Sequence, residues 1–239
     1  MIRVGRCTFD GGKRVDPSFD GFEPIVVMTQ SSKYGAIGPY CLKNDKGQIM
    51  ENIWQFFKLY KEVPATTQTY SRWDRRIIWS HPAETHVLED GTITEAYFRW
   101  RQKGFNAAEA IRYPVGYNHR HKCLYALGPN GEKWNYIESR KKIYLPLYID
   151  LVRKHPQYKF LLEKVKKGQN ILIMEVDGPH QESLEYYKEK YKVGDDFIVD
   201  GTMVATRENL NIMLNDEKHP FGHAYCLSVA LLMDLNKVE

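Results

Sequence analysis

The sequence predicts an α+β fold, a single mainly helical domain over 1–239 with short β-strands around a central buried helix. Three observations carry this expectation. Apolar residues recur at helical spacing along several long segments, with the bulkiest face in the stretch 48–60, QIMENIWQFFKLY. Two short runs, the β-branched PIVVMT at 24–29 and the apolar ILIM at 171–174, read as buried strands. No repeat, low-complexity tract or evident linker divides the 239 residues, a length that suits one large domain or two small ones.

Taken in order, 1–9 alternates apolar and polar residues and reads as a first strand, ended by Asp10-Gly11-Gly12. The strand at 24–29 follows. A loop punctuated by Gly35, Gly38 and Pro39 then brings Tyr34 and Tyr40 to the start of the central helix, which begins near Met50 and is closed by Pro64. At about 100° per residue, Glu51, Gln55 and Lys58 fall on one narrow stripe of that helix, and Ile53, Trp54, Phe57 and Tyr60 cover most of the rest. The run 70–78 reads as an edge strand and 93–105 as a helix ending at Gly104. A loop and strand over 111–127, a turn at 128–131 and a short strand at 133–136 come next. A helix over 137–155 is expected to kink at Pro146 because its apolar period resumes afterwards. Pro156 suits the first position of a helix over 157–167, which Gly168 terminates. After the strand that ends at Glu175 and Asp177-Gly178-Pro179, the expectation is a helix at 181–191, a strand at 197–199, and helices at 207–215 and 222–235.

Composition narrows the function classes. Net charge is +4, from 34 Lys and Arg against 30 Asp and Glu, which suits a phosphate-bearing ligand and is too small to indicate a nucleic-acid binder by itself. The four cysteines (Cys7, Cys41, Cys123, Cys226) are dispersed without a CxxC pair and read as reduced intracellular thiols. No apolar run reaches membrane-span length and the first residues lack a signal-peptide core, so a soluble, cytoplasmic protein with no membrane partner is expected.

Several constellations bear chemistry. Arg72, Arg75 and Arg76 beside Trp73 can grip a phosphate and stack a base, or form an ordinary solvated edge. His119, His121 and Cys123 would share a face if their segment were a strand. A fourth ligand is missing and cations flank them, so no metal is assigned. Asp216, His219 and His223 gather at the entry to the last helix, where Gly222 would let a phosphate approach free N–H groups. Glu175 and Asp177 stand at the carboxyl end of a buried strand, a common place for site residues. No GxGxxG, Walker loop or nucleophile elbow occurs, so nothing points to a kinase, a Rossmann enzyme or a serine hydrolase.

Two stretches together resemble the NADAR family of N-glycosidases, which are linked to NAD, ADP-ribose and riboflavin intermediates. The run M-E-N-I-W-Q-F-F-K keeps the family's Glu, Gln and Lys as Glu51, Gln55 and Lys58, with Asn52 where His is usual. The stretch 140–176 follows the family's order of helix, Pro-containing break, Leu-rich turn and strand ending in an acid, here Glu175. Gly38-Pro39-Tyr40 keeps the aromatic of the family's preceding loop and loses its amide. Phe221-Gly222-His223 stands for the terminal signature, and 66–135 has no counterpart, so the resemblance covers under half of the chain.

The resemblance implies cleavage of a bond between ribose C1 and a base or amine nitrogen, without a cofactor. The substrate would be ADP-ribose on guanine in nucleic acid, or a ribosylamino-pyrimidine intermediate. Glu51 or Glu175 would stabilise the oxocarbenium-like centre or activate water. Lys58 would hold a phosphate or, when neutral, attack C1. Tyr40, Trp54 and Trp73 would stack on the base, while Arg72 and Arg75 would hold a pyrophosphate. Gln55, Asp177 and His223 complete the expected binding set. Two other classes remain open: a non-catalytic ADP-ribose or nucleotide-binding module, and a nucleic-acid-binding protein using 70–78.

Overall fold

A computed structural model describes residues 1–69 and 77–235. The fold is α+β, with several small sheets and one mixed four-stranded sheet. Contacts divide the chain into two compact units: Met1–Gly38 with Leu145–Glu239, and Pro39–Tyr144. They are called the outer and inner unit after their order in the chain.

The outer unit opens with β1 (Ile2–Arg6), followed by β2 (Thr8–Asp10) and β3 (Lys13–Val15). β2 and β3 form a hairpin whose two loop residues, Gly11 and Gly12, both have positive φ (53° and 82°). That is the backbone a two-residue turn between right-twisted strands demands, and glycine adopts it without a Cβ penalty. β4 (Glu23–Val26) covers the first half of the run at 24–29.

The inner unit is built on α1 (Met50–Phe56), in which Met50, Glu51, Asn52, Ile53, Trp54 and Phe56 are all buried. The helix begins at Met50 as expected but ends well short of Pro64. Phe57 caps it, and Lys58–Tyr60 forms β5. β6 (Glu62–Val63), β7 (Thr66–Thr69), β8 (Ile77–His81) and β9 (Glu84–Thr85) pair as two ribbons, β6 with β9 and β7 with β8. α2 (Glu95–Phe105) follows, then β10 (Cys123–Leu127), β11 (Lys133–Trp134) and α3 (Tyr136–Ser139). β10 pairs antiparallel with both β5 and β11. This pairing explains the early end of α1: the groups of Lys58, Leu59 and Tyr60 meet strand partners in β10, and Leu59 and Tyr60 are both buried there. Pro64 plays no part in ending the helix.

Gly104 was expected to stop α2, but the helix runs through it to Phe105. A Cβ at Gly104 would stand 2.1 Å from the Phe56 ring, so the glycine is there for packing. Phe56 in turn meets Trp100 and Trp79 with ring centroids 4.5 and 4.9 Å apart, the centre of this unit's core. The expected helix over 137–155 is interrupted by a π-helical turn at Arg140–Tyr144.

The outer unit resumes with α4 (Leu145–Arg153), of which Pro146 is the second residue and which follows the π-helical turn without a break. α5 (Pro156–Lys166) begins at the proline, with His155 as its N-cap, and Gly168 follows it at φ 80°. β12 (Ile171–Glu175) is buried along its whole length and lies parallel to β1 and β4. α6 (Leu184–Tyr191) is preceded by a 3-10 turn, Gln181–Ser183. The strand expected at 197–199 is a single bridge, Val199 to Thr202, around Asp200 and Gly201 at positive φ. The strand itself, β13 (Thr202–Val204), follows that turn and completes the sheet in the order β13-β1-β12-β4. α7 (Arg207–Asn215) and α8 (His223–Leu235) close the described chain, α8 buried on most of its faces.

Candidate functional site

In the inner unit the polar stripe of α1 survives the change at Lys58. Gln55 Nε2 donates to Glu51 Oε1 at 2.8 Å, and Lys58 Nζ donates to Gln55 Oε1 at 2.9 Å. One amide thus links a buried carboxylate to the lysine, and its two ends fix which way it faces. Lys58 Nζ also lies 4.9 Å from the centre of the Trp54 ring, which packs on Tyr144 and Tyr136 at 5.1 and 6.2 Å. The lysine keeps some surface, yet the protein around its ammonium lowers its pKa. Desolvation dominates, and the negative field of Glu51 and Cys123 acts against it.

Lys58 lines a cavity of about 270 Å³ together with Cys123, Tyr125, Trp134, Tyr136 and Ser139. Arg120 and His121 stand at the same cavity, and no carboxylate is among its described lining residues. Cys123 is on β10, directly opposite Tyr60, and burial raises its thiol pKa while Lys58 pulls it down. An amine with a lowered pKa, aromatic walls and nearby cations suit an electrophilic carbon attached to an anionic, ring-bearing ligand.

In the outer unit Glu175 ends β12, 3% exposed. Its Oε2 lies 2.7 Å from His223 Nδ1, and its Oε1 accepts the Ala224 N–H at the start of α8 at 2.6 Å. His223 Nε2 donates to the Val27 carbonyl at 2.9 Å. Both ring nitrogens therefore face acceptors, which calls for the imidazolium. Burial pushes its pKa down, but the Glu175 carboxylate and the Val27 carbonyl outweigh this and leave it raised. Gly222 allows the approach: a Cβ there would stand 2.1 Å from Glu175 Oε1 and 2.9 Å from Asp177 Cβ.

The expected site residues thus fall into two sets. Tyr40, Glu51, Trp54, Gln55 and Lys58 belong to the inner unit; Glu175, Asp177 and His223 belong to the outer one. Arg72, Trp73 and Arg75 lie outside the described residues. His119 and His121 are in a 3-10 turn, Tyr117–Lys122, not on a strand with Cys123, so the alternation that would put all three on one face does not apply. Among the described residues no group of three or more His, Cys, Asp or Glu is arranged to hold a metal ion. No described helix is long and apolar enough to cross a membrane. Sequence reasoning weighed Cys123 only as a metal ligand and missed Trp134, Tyr136 and Ser139; the pairing of β5 with β10, which leaves no local trace, puts Lys58 at the same cavity as all four. No family model, curated protein or solved structure matches the chain.

Proposed function

We propose that the chain is an N-glycosidase acting at ribose C1, with its chemistry in the inner unit. The observation that carries this reading is a desolvated lysine at a cavity, bonded through Gln55 to a buried carboxylate. The resemblance of Glu51, Gln55 and Lys58 to the NADAR run supports it, and so does the aromatic lining. The substrate is an N-riboside: ADP-ribose on a guanine of nucleic acid, or a ribosylamino-pyrimidine. The cavity, about 270 Å³, is slightly below the ~300–1,000 Å³ of typical small-molecule sites. It suits the ribose and its attached ring, with the remainder of a larger substrate outside.

Neutral Lys58 attacks C1 as the C1–N bond breaks, its electron pair leaving with the base nitrogen, which takes up a proton. The glycosyl-lysine opens to an imine, and water hydrolyses it to free the sugar and restore the amine. Glu51 acts from behind Gln55: it is not among the cavity's described lining residues, and through that amide it keeps Lys58 in place and sets a negative field at the amine. Glu175 holds His223 and the start of α8.

Base release from an ADP-ribosylated guanine oligonucleotide and from a ribosylamino-pyrimidine is followed for the wild type, Glu51→Gln and Lys58→Ala. Glu51→Gln, which removes the charge that holds Gln55 and Lys58, is expected to lose at least ~10²-fold, the size of loss seen when one preorganised electrostatic group is removed. Borohydride added during turnover should attach the sugar to Lys58. Binding without base release by the wild type would replace the enzyme by a binding module. Equal, salt-dependent binding of unmodified nucleic acid would favour a nucleic-acid-binding protein.

A further inference from the structure

A second reactive arrangement lies within the outer unit, built by α6 and the segment between α7 and α8. Ser183 Oγ lies 3.0 Å from His219 Nε2, and His219 Nδ1 lies 2.6 Å from Asp216 Oδ2. The three are nearly enclosed, at 7%, 9% and 1% exposure. Asp216 is further bonded by the Tyr186 hydroxyl on Oδ1 (2.7 Å), the Tyr187 hydroxyl on Oδ2 (2.7 Å) and the Lys218 N–H on Oδ1 (3.0 Å). Burial works against its charge, but these donors prevail and hold its pKa below the usual carboxylate value.

An ionised Asp216 fixes the proton of His219 on Nδ1, with the Tyr187 oxygen 2.9 Å away as a second acceptor. Nε2 then offers its lone pair to Ser183, and the serine hydroxyl is the donor. Ser183 ends the 3-10 turn before α6, and its side chain makes no capping bond to that helix. The hydroxyl is directed at the imidazole. The ring of His180 covers His219 at 4.4 Å between centroids, and His180 Nδ1 is held by Glu182 at 2.9 Å.

We infer that Ser183, His219 and Asp216 are an acyl-transfer triad for activated esters with a small acyl group. The geometry has the roles such chemistry requires, a nucleophile on a base and the base on an orienting carboxylate. Ser183 Oγ bonds to the acyl carbon as its proton passes to His219 Nε2, and the carbonyl pair moves onto oxygen. That pair returns as the ester C–O bond breaks, and the leaving alkoxide takes the proton from Nε2. Water then repeats the sequence on the acyl-serine, releasing the acid and restoring Ser183. The narrow exposure of Ser183 restricts the acyl group to a small one. This site shares no residue with the proposed glycosidase chemistry, so either can fail alone.

The test uses the full chain with p-nitrophenyl acetate and a small fluorophosphonate, and locates the adduct by mass spectrometry. The expected result is a stoichiometric adduct on Ser183, absent in Ser183→Ala, and ester turnover at least ~10²-fold lower in Ser183→Ala and His219→Gln. Ser183→Ala removes no helix cap and only the one hydrogen bond to His219, so it should stay folded with a melting temperature lower by several degrees at most, and its readout stands even if His219→Gln misfolds. A folded wild type with no Ser183 adduct, or turnover unchanged in Ser183→Ala, overturns the triad.

Discussion

Acid should destabilise this protein partly through one residue of the inner unit, His86. Its ring is fully buried, 5.1 and 5.6 Å from the Trp100 and Tyr97 rings. The charged groups facing it are Glu84, whose Oε2 is 3.5 Å from Nε2, and His81. Burial is the largest influence, opposed by Glu84 and assisted by His81, and it pushes the pKa from 6.5 down to about 4. Because the folded value lies below the unfolded one, His86 contributes fully above pH ~6.5, and that contribution is lost as pH falls through the folded value. A gap of about 2.5 units corresponds to ~3 kcal/mol in all, and ~2.5 kcal/mol of it is gone at about pH 4.5. Urea unfolding at about pH 7.5 and about pH 4.5 reads this loss, and His86→Leu separates it from the titrating carboxylates. The variant should be less acid-sensitive than the wild type by roughly 2 kcal/mol. Equal acid losses in both proteins would show that His86 does not carry a strongly depressed pKa.

Two further outcomes follow from the start of α8. Gly222→Ala places a Cβ on Glu175 Oε1, which must leave either the Ala224 N–H or His223, so a loss of about 3–5 kcal/mol is expected in thermal or urea unfolding. A loss under about 1 kcal/mol would mean that Glu175 finds another way to satisfy both. His223 works in the opposite direction to His86: its folded pKa is raised, so its pairing with Glu175 is fully present below pH ~6.5 and lost as pH rises through the folded value. A melting temperature that falls with alkali in the wild type and stays level in His223→Gln is the expected signature.

What could be read in advance follows the range of the interactions involved. The helix over 207–215 is where its apolar period and the Thr206 side chain, which accepts the Asn209 N–H, put it. The proline start of α5 and the apolar run of β12 are equally local signals. The stripe of Glu51, Gln55 and Lys58 was legible as well, and its hydrogen bonds hold although the helix stops before Lys58. That stop was hidden because its cause, β10, is remote in sequence. For the same reason Cys123 and Tyr136 were not seen as neighbours of Lys58. Gly104 was misread because a glycine needed for Phe56 and a glycine that ends a helix look alike in a single sequence. Ser183 carries no motif at all, and only folding brings it to His219.

The order of strands in the outer sheet has a bearing on how the chain is made. β1 leaves the ribosome long before its strand partners: among the described residues it pairs with β12 and β13, more than 160 positions later. For most of synthesis the buried side chains of Ile2 and Val4 have no sheet to enter. The inner unit, whose residues are contiguous, emerges whole before those partners do and can fold while β1 waits. Closing so long a loop is slow compared with local folding. A nascent chain stalled before Ile171 would hold a complete inner unit and, in β1, a strand with both edges open to wrong pairing.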